Sequence, residues 1–180
     1  MKRGFALTGA TVILIFGLVL HFSYILSGGT VWSILISSVN SSAWETLKPF
    51  AISYIMWIVI ELSCIRPSLL HFICSKIIVL YFLAFLVMIY CLLIQKLVDN
   101  TLISRIIFWS GIYIILIFVQ LLSYRIYKSE VRIELFYVPI LLSLFLFCVM
   151  ILFFSLYPPH ITPFYDFKNF LYGVSNYTIK

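Results

Sequence analysis

Residues 77–94 read IIVLYFLAFLVMIYCLLI, a run without formal charge that is closed by Lys76 on one side and by Gln95 and Lys96 on the other. A helix rises about 1.5 Å per residue, so the run covers most of the roughly 30 Å hydrocarbon core of a bilayer. A helix in water keeps a polar face, and this one has none. The stretch therefore predicts a membrane span, and four more runs resemble it. Residues 4–26 follow Lys2 and Arg3. Residues 50–65 are entered through Pro49, left at Arg66 and Pro67, and carry Glu61. Residues 106–124 lie between Arg105 and Arg125, and residues 135–157 stop at Pro158 and Pro159. The expected fold class is all-α: a polytopic bundle of about five transmembrane helices, forming a single integral membrane domain over residues 1–180. The first run starts like a signal peptide. Its length, and the poor small-residue cleavage site at Ser27, Gly28 and Gly29, predict that it is kept as a span.

Composition agrees with a chain solvated by lipid. Of 180 residues 64% are hydrophobic and 10% charged, against about 25% charged in a soluble domain. Twelve basic and six acidic side chains give a net charge of +6. The basic residues are scattered between apolar runs, which excludes a nucleic-acid face and makes membrane lipids the expected partners. Cys64, Cys74, Cys91 and Cys148 fall in or beside apolar runs and read as small hydrophobes, with no metal-site spacing. H-E-x-x-H, G-x-S-x-G and P-loop patterns are missing, so no cofactor and no metal are expected.

Orientation follows from the basic residues of the connections. With the N-terminus in the cytoplasm, that side receives Lys2, Arg3, Arg66, Lys76, Arg125, Lys128 and Arg132. The other receives Lys48, Lys96, Arg105, Lys168 and Lys180. The excess favours a multi-pass protein of the cell membrane with its C-terminus outside. Aromatic belts are then expected at Tyr24, Trp32, Trp44 and Tyr157 on the outer side, and at Trp57, Tyr124 and Tyr137 on the inner.

Between the first two runs lies a segment too apolar for a solvated loop. Residues 30–38 predict an interfacial or re-entrant piece. Ser42 and Glu45 then stand at capping-box spacing, which predicts a helix start near Ala43, and Pro49 is expected to bend that helix.

The run Val39-Asn40-x-Ser42-x-Trp44-Glu45-x-x-Lys48, preceded by His21-Phe22 and followed near the other end by Pro158-Pro159-His160-Ile161, Phe164, Asp166 and Tyr172-Gly173, resembles a bacterial family of small polytopic membrane proteins catalogued as a domain of unknown function. The likeness covers nearly the whole chain and implies a helical membrane protein, with no reaction attached. Family members tend to carry Glu where this chain has Ser41 and His where it has Thr46. Both departures remove potential ligands and weaken any metal or acid/base scheme.

His21, Asn40, Glu45, Lys48, His160 and Asp166 are the candidate ligand-binding residues, because the topology gathers all six near the outer surface. Each also has a structural reading. Glu45 would close the capping box, Lys48 snorkel to head groups, His21 bond at the interface, and Asp166 cap a short helix after it. Glu61 is expected to be a structural intramembrane charge paired with Arg66, with Lys76 or Arg132 as alternatives from neighbouring loops. Three functions fit: binding or moving a hydrophobic or lipid-like ligand through a polar pocket at the outer surface; hydrolysis at the outer leaflet with His21, Glu45, His160 and Asp166 as ligands or acid/base groups; or service as a subunit beside another membrane protein, with Ala6 and Ala10 allowing close helix approach.

Overall fold

The computed structural model describes residues 3–65, 68–94 and 101–173. Six α-helices run in order: α1 (Arg3–Leu26), α2 (Val31–Ile36), α3 (Ala43–Ile65), α4 (Leu69–Ile94), α5 (Leu102–Lys128) and α6 (Tyr137–Leu156). A 3₁₀ turn at Ile133–Phe136 leads into α6, and another at Thr162–Phe164 precedes two short strands, β1 (Tyr165–Asp166) and β2 (Leu171–Tyr172). The strands pair antiparallel, Tyr165 opposite Tyr172 and Asp166 opposite Leu171. Five helices, all but α2, are long and apolar enough to cross a membrane. Each apolar run of the sequence has become one of them.

α3 starts at Ala43 with Pro49 inside the helix, as the Ser42 and Glu45 spacing predicts. Two boundaries differ from expectation, both outward. α4 starts at Leu69, which places Lys76 within the helix and not at its flank. α5 takes in both Arg105 and Arg125. Charged and polar residues looked like span limits, but the backbone continues past them because a helix satisfies its own N–H and C=O groups wherever lipid or protein covers it.

Contacts between successive long helices show that they alternate in direction. A Cβ on Gly9 would stand 2.6 Å from the Trp57 indole nitrogen, and one on Gly17 would overlap the Phe50 ring, so α1 and α3 run antiparallel with rings pressed to the α1 backbone. Glu61 meets Lys76 between α3 and α4. Tyr90 of α4 donates to the carbonyls of Ile107 and Phe108 of α5. Thr11 reaches Tyr113, and the His21 ring meets Trp109, between α1 and α5. The four helices thus close a ring in the order α1, α3, α4, α5 around a core that includes Ile13, Phe50, Leu83, Ile112 and Leu116. α6 stands outside the ring on α4, parallel to it, through Tyr81 against Phe147 and the Ser143 carbonyl.

At one end of the bundle α1 and α6 finish and α3 begins; here the chain from Thr30 to Ser42 and the C-terminal hairpin form a cap. At the opposite end α3 and α5 finish and α4 begins. The segment expected at residues 30–38 contains α2, which buries Ser33 and Ile34 while Val31 and Trp32 stay exposed. Two aromatic-belt expectations are corrected. Trp44 and Trp57 are buried, Trp57 because it faces Phe5 of α1 within the ring, and Trp44 because Phe154 of α6 and Phe164 of the Thr162–Phe164 turn cover it.

Candidate functional site

Pro49 organises the cap. It has no N–H to give the carbonyl of Glu45 four residues earlier, so that carbonyl is open for another donor. The Ser38 hydroxyl takes it. Ser38 Oγ also lies 2.7 Å from His21 Nδ1. Since the serine proton is committed to Glu45, the imidazole must donate from Nδ1. Its neighbour Ser37 donates to the His21 carbonyl and accepts from the Tyr24 N–H. His21 therefore ties the end of α1 to the start of α3, with Trp109 edge-on at 4.9 Å.

The start of α3 carries the expected capping box in modified form. Ser42 Oγ accepts from the Glu45 N–H at 3.3 Å. Glu45 reaches back, but to the N–H of Val39 at 2.9 Å, while the Ser42 N–H goes to the Asn40 side-chain oxygen. The same Glu45 oxygen is 2.9 Å from Lys48 Nζ. Lys48 does not snorkel to head groups. It is 1% exposed, and its other two donors go to the Ile34 carbonyl at 2.8 Å and the Ser155 hydroxyl at 3.1 Å. All three ammonium protons are then accounted for, as a buried lysine requires. That one side chain joins α2, α3 and α6.

Asp166 is buried and does not cap a helix, since it ends β1 and a turn follows it. Its carboxylate accepts from the backbone N–H groups of Ser41, Lys168 and Asn169 and from the Asn169 side-chain amide. Asn40 completes the join by donating to the Gly173 carbonyl at 3.0 Å, and Trp44 stacks on Phe164. The motif after the first span and the segment near the C-terminus thus touch, as their shared end of the bundle predicts. A helix N-terminus attracts negative charge; at α3 that charge is the chain's own Asp166, bonded two residues before the helix. His160 stands apart, exposed and packed on Tyr172.

Residues 2–174 match the model of a family of unknown function, DUF6512. The chain belongs to that family. No curated protein and no solved structure matches it.

In this DUF6512 member the six sequence candidates therefore divide. His21, Asn40, Glu45, Lys48 and Asp166 hold the cap together, each through contacts to a different element, while His160 lies on its surface. No group of three His, Cys, Asp or Glu side chains suited to a metal converges among the described residues. Ser37, Ser38 and Ser155 carry equal weight in the cap, yet a lone serine in an apolar run gives no signal. Ala6 and Ala10 are buried inside the bundle, which removes the stripe proposed for a partner helix.

A second polar group lies toward the opposite end. Glu61 pairs with Lys76 at 2.6 Å, and both side chains are 0% exposed. Arg66, the expected partner, lies outside the described residues. Lys76 comes from within α4 and not from a loop, and it also reaches the Gln120 side-chain oxygen at 3.4 Å. Glu134, near that end, bonds His71 at 2.8 Å in a recess of about 610 Å³ that Tyr127, Glu130 and Arg132 help to line. Gln120 is a functional-looking residue that the sequence reading missed, although a polar side chain inside residues 106–124 was a signal for it. Its partner Lys76 gave no such signal, because it read as a boundary.

Proposed function

We propose that this protein is a multi-pass protein of the cell membrane that binds or moves a lipid-like amphiphile at its cap end, with the N-terminus in the cytoplasm and the cap outside. One observation carries the reading. The loop between β1 and β2 is pinned from below by the Asp166 carboxylate, and it holds Phe170 in the left-handed region at φ 56° with 77% of the residue exposed. A non-glycine residue there is strained and persists only where its surroundings enforce it. Exposed Lys168 stands on the same loop. A cation and an aromatic ring carried exposed on one loop at the cap suit an anionic head group and the start of its acyl chains.

The hydrolase reading has less support, because both Asp166 oxygens are engaged by donors of the chain itself, Glu45 spends one oxygen on Val39 and Lys48, and His21 holds α1 to α3. Head-group binding falls to Lys168 and His160 on the cap surface, and Lys48 belongs to the frame beneath them.

The test is lipid retention by the purified protein in mixed micelles, read by native mass spectrometry with phosphatidylglycerol or phosphatidylcholine as the probe. Preference for the anionic lipid is expected. Lys168→Ala should reduce it about fivefold, the equivalent of roughly 1 kcal/mol for one basic residue at a charged surface. Lys128→Ala, at the opposite end, should leave it unchanged. Equal retention of both lipids by the unaltered protein, or equal loss from the two variants, would overturn the reading.

A further inference from the structure

At the end of the bundle away from the cap, the start of α4 and the chain leaving α5 border the recess of about 610 Å³ that holds His71 and Glu134. Its size falls within the roughly 300–1,000 Å³ of small-molecule sites. One wall is Ser68, Leu69, Leu70 and His71. The other is Tyr127 near the end of α5, with Ser129, Glu130, Val131, Arg132 and Glu134 beyond it. The contact of His71 with Glu134 at 2.8 Å ties the two walls together. Glu130 and Arg132 are both exposed, and neither forms an ion pair among the described residues. The recess therefore carries one unspent charge of each sign.

Those charges decide what it can take. Glu130 repels an anion and Arg132 repels a cation, whereas a ligand with one charge of each sign meets both. The guanidinium fork suits phosphate oxygens, and a carboxylate binds best to N–H donors. A quaternary ammonium has no such donor, and it is recognised by a cage of aromatic rings. Tyr127 is the only Phe, Tyr or Trp lining the recess among the described residues. The cationic end of the ligand is therefore a primary ammonium. The recess also lies where α4 starts and α5 stops, at Leu69 and Lys128, which is the level of lipid head groups. Its rim is apolar: Leu69, Leu70 and Val131 are exposed, and Leu135 and Phe136 continue that surface towards α6. Acyl chains would cover such a rim, and a soluble zwitterion would leave it bare.

We propose that the recess binds the head group of a zwitterionic phospholipid with a primary ammonium, its phosphate at Arg132, its ammonium at Glu130 and its chains leaving across Leu69, Leu70 and Val131. Phosphatidylethanolamine is the simplest lipid of this kind. The inference does not depend on the lipid site at the cap. Lys168 selects by net charge, which phosphatidylethanolamine and phosphatidylcholine share, so the cap gives no preference between these two.

Native mass spectrometry of the full-length protein in mixed micelles tests it, with phosphatidylethanolamine and phosphatidylcholine as the probes. Retention of phosphatidylethanolamine several-fold above phosphatidylcholine is expected. Arg132→Ala should lower retention of both lipids about fivefold, because both carry the phosphate. Glu130→Gln should abolish the preference and leave phosphatidylcholine unchanged, because the amide offers the ammonium no charged acceptor. Both side chains are exposed, so neither replacement threatens the fold. Arg105→Ala, exposed on α5 near the cap end, should change neither lipid. Equal retention of the two lipids by the unaltered protein would overturn the proposal, as would a preference that survives Glu130→Gln or retention untouched by Arg132→Ala. Free phosphoethanolamine at the concentration of the lipid should not displace it. Displacement would assign the recess to a soluble zwitterion and overturn the lipid reading.

Discussion

A single missing N–H at Pro49 sets the cap's pattern: Ser38 fills the place on the Glu45 carbonyl, His21 donates to Ser38, and α1 is thereby fixed to α3. Buried charge in the cap follows the same rule of engagement. Lys48 uses its three protons on three elements, and Asp166 accepts four N–H bonds. Glu61 was expected to be a structural intramembrane charge paired with Arg66, with Lys76 as an alternative. Its complete burial against Lys76 makes replacement costly, because removing one partner of a buried pair leaves the other uncompensated. Glu61→Gln should lower stability by about 3–5 kcal/mol, whereas Glu61→Gln combined with Lys76→Met should recover most of it. Thermal unfolding in detergent micelles measures both. A double variant as unstable as the single one would show that the pair is not what the single replacement damages.

Among elements, α1 depends on glycine to approach α3. A methyl group at Gly17 would overlap the Phe50 ring, while at Gly4 it would meet nothing within 4 Å. Gly17→Ala should therefore cost about 1–3 kcal/mol by overpacking. Gly4→Ala should be neutral or stabilise by up to about 1 kcal/mol through helix propensity. Comparing their unfolding temperatures under one condition decides it, and equal effects would mean that the α1–α3 contact is looser than described. The elements were legible where physics acts locally. Residues 77–94 could be read as a span from hydropathy alone, and the start of α3 from the Ser42 and Glu45 spacing. Helix starts hidden behind polar residues were not legible: His71 and Lys76 looked like loop, though each has a tertiary partner that lets it enter the helix, Glu134 for one and Glu61 for the other. The join of Asn40 and Ser41 to the C-terminal hairpin could be placed at one end of the bundle, but its bonds depend on a fold that brings residues more than a hundred positions apart together.

For the whole molecule, the alternation of the five long helices puts Arg3 and Gly173 at opposite ends of the bundle, and the proposed orientation, taken from the basic residues of the connections, has the C-terminus outside. With that orientation the cap, with its Lys168 and Phe170 loop, meets the outer leaflet, and the lipid site proposed there takes its sidedness from it. The most direct measurement is the reactivity of single cysteines, placed at Lys2 and at Lys180 in a cysteine-free background, toward a membrane-impermeant thiol reagent in intact cells. The account predicts that the cysteine at 180 is labelled from outside and that the one at 2 is labelled only after the membrane is opened. Labelling of both from the same side would contradict five spans, and labelling of 2 but not 180 from outside would contradict the orientation.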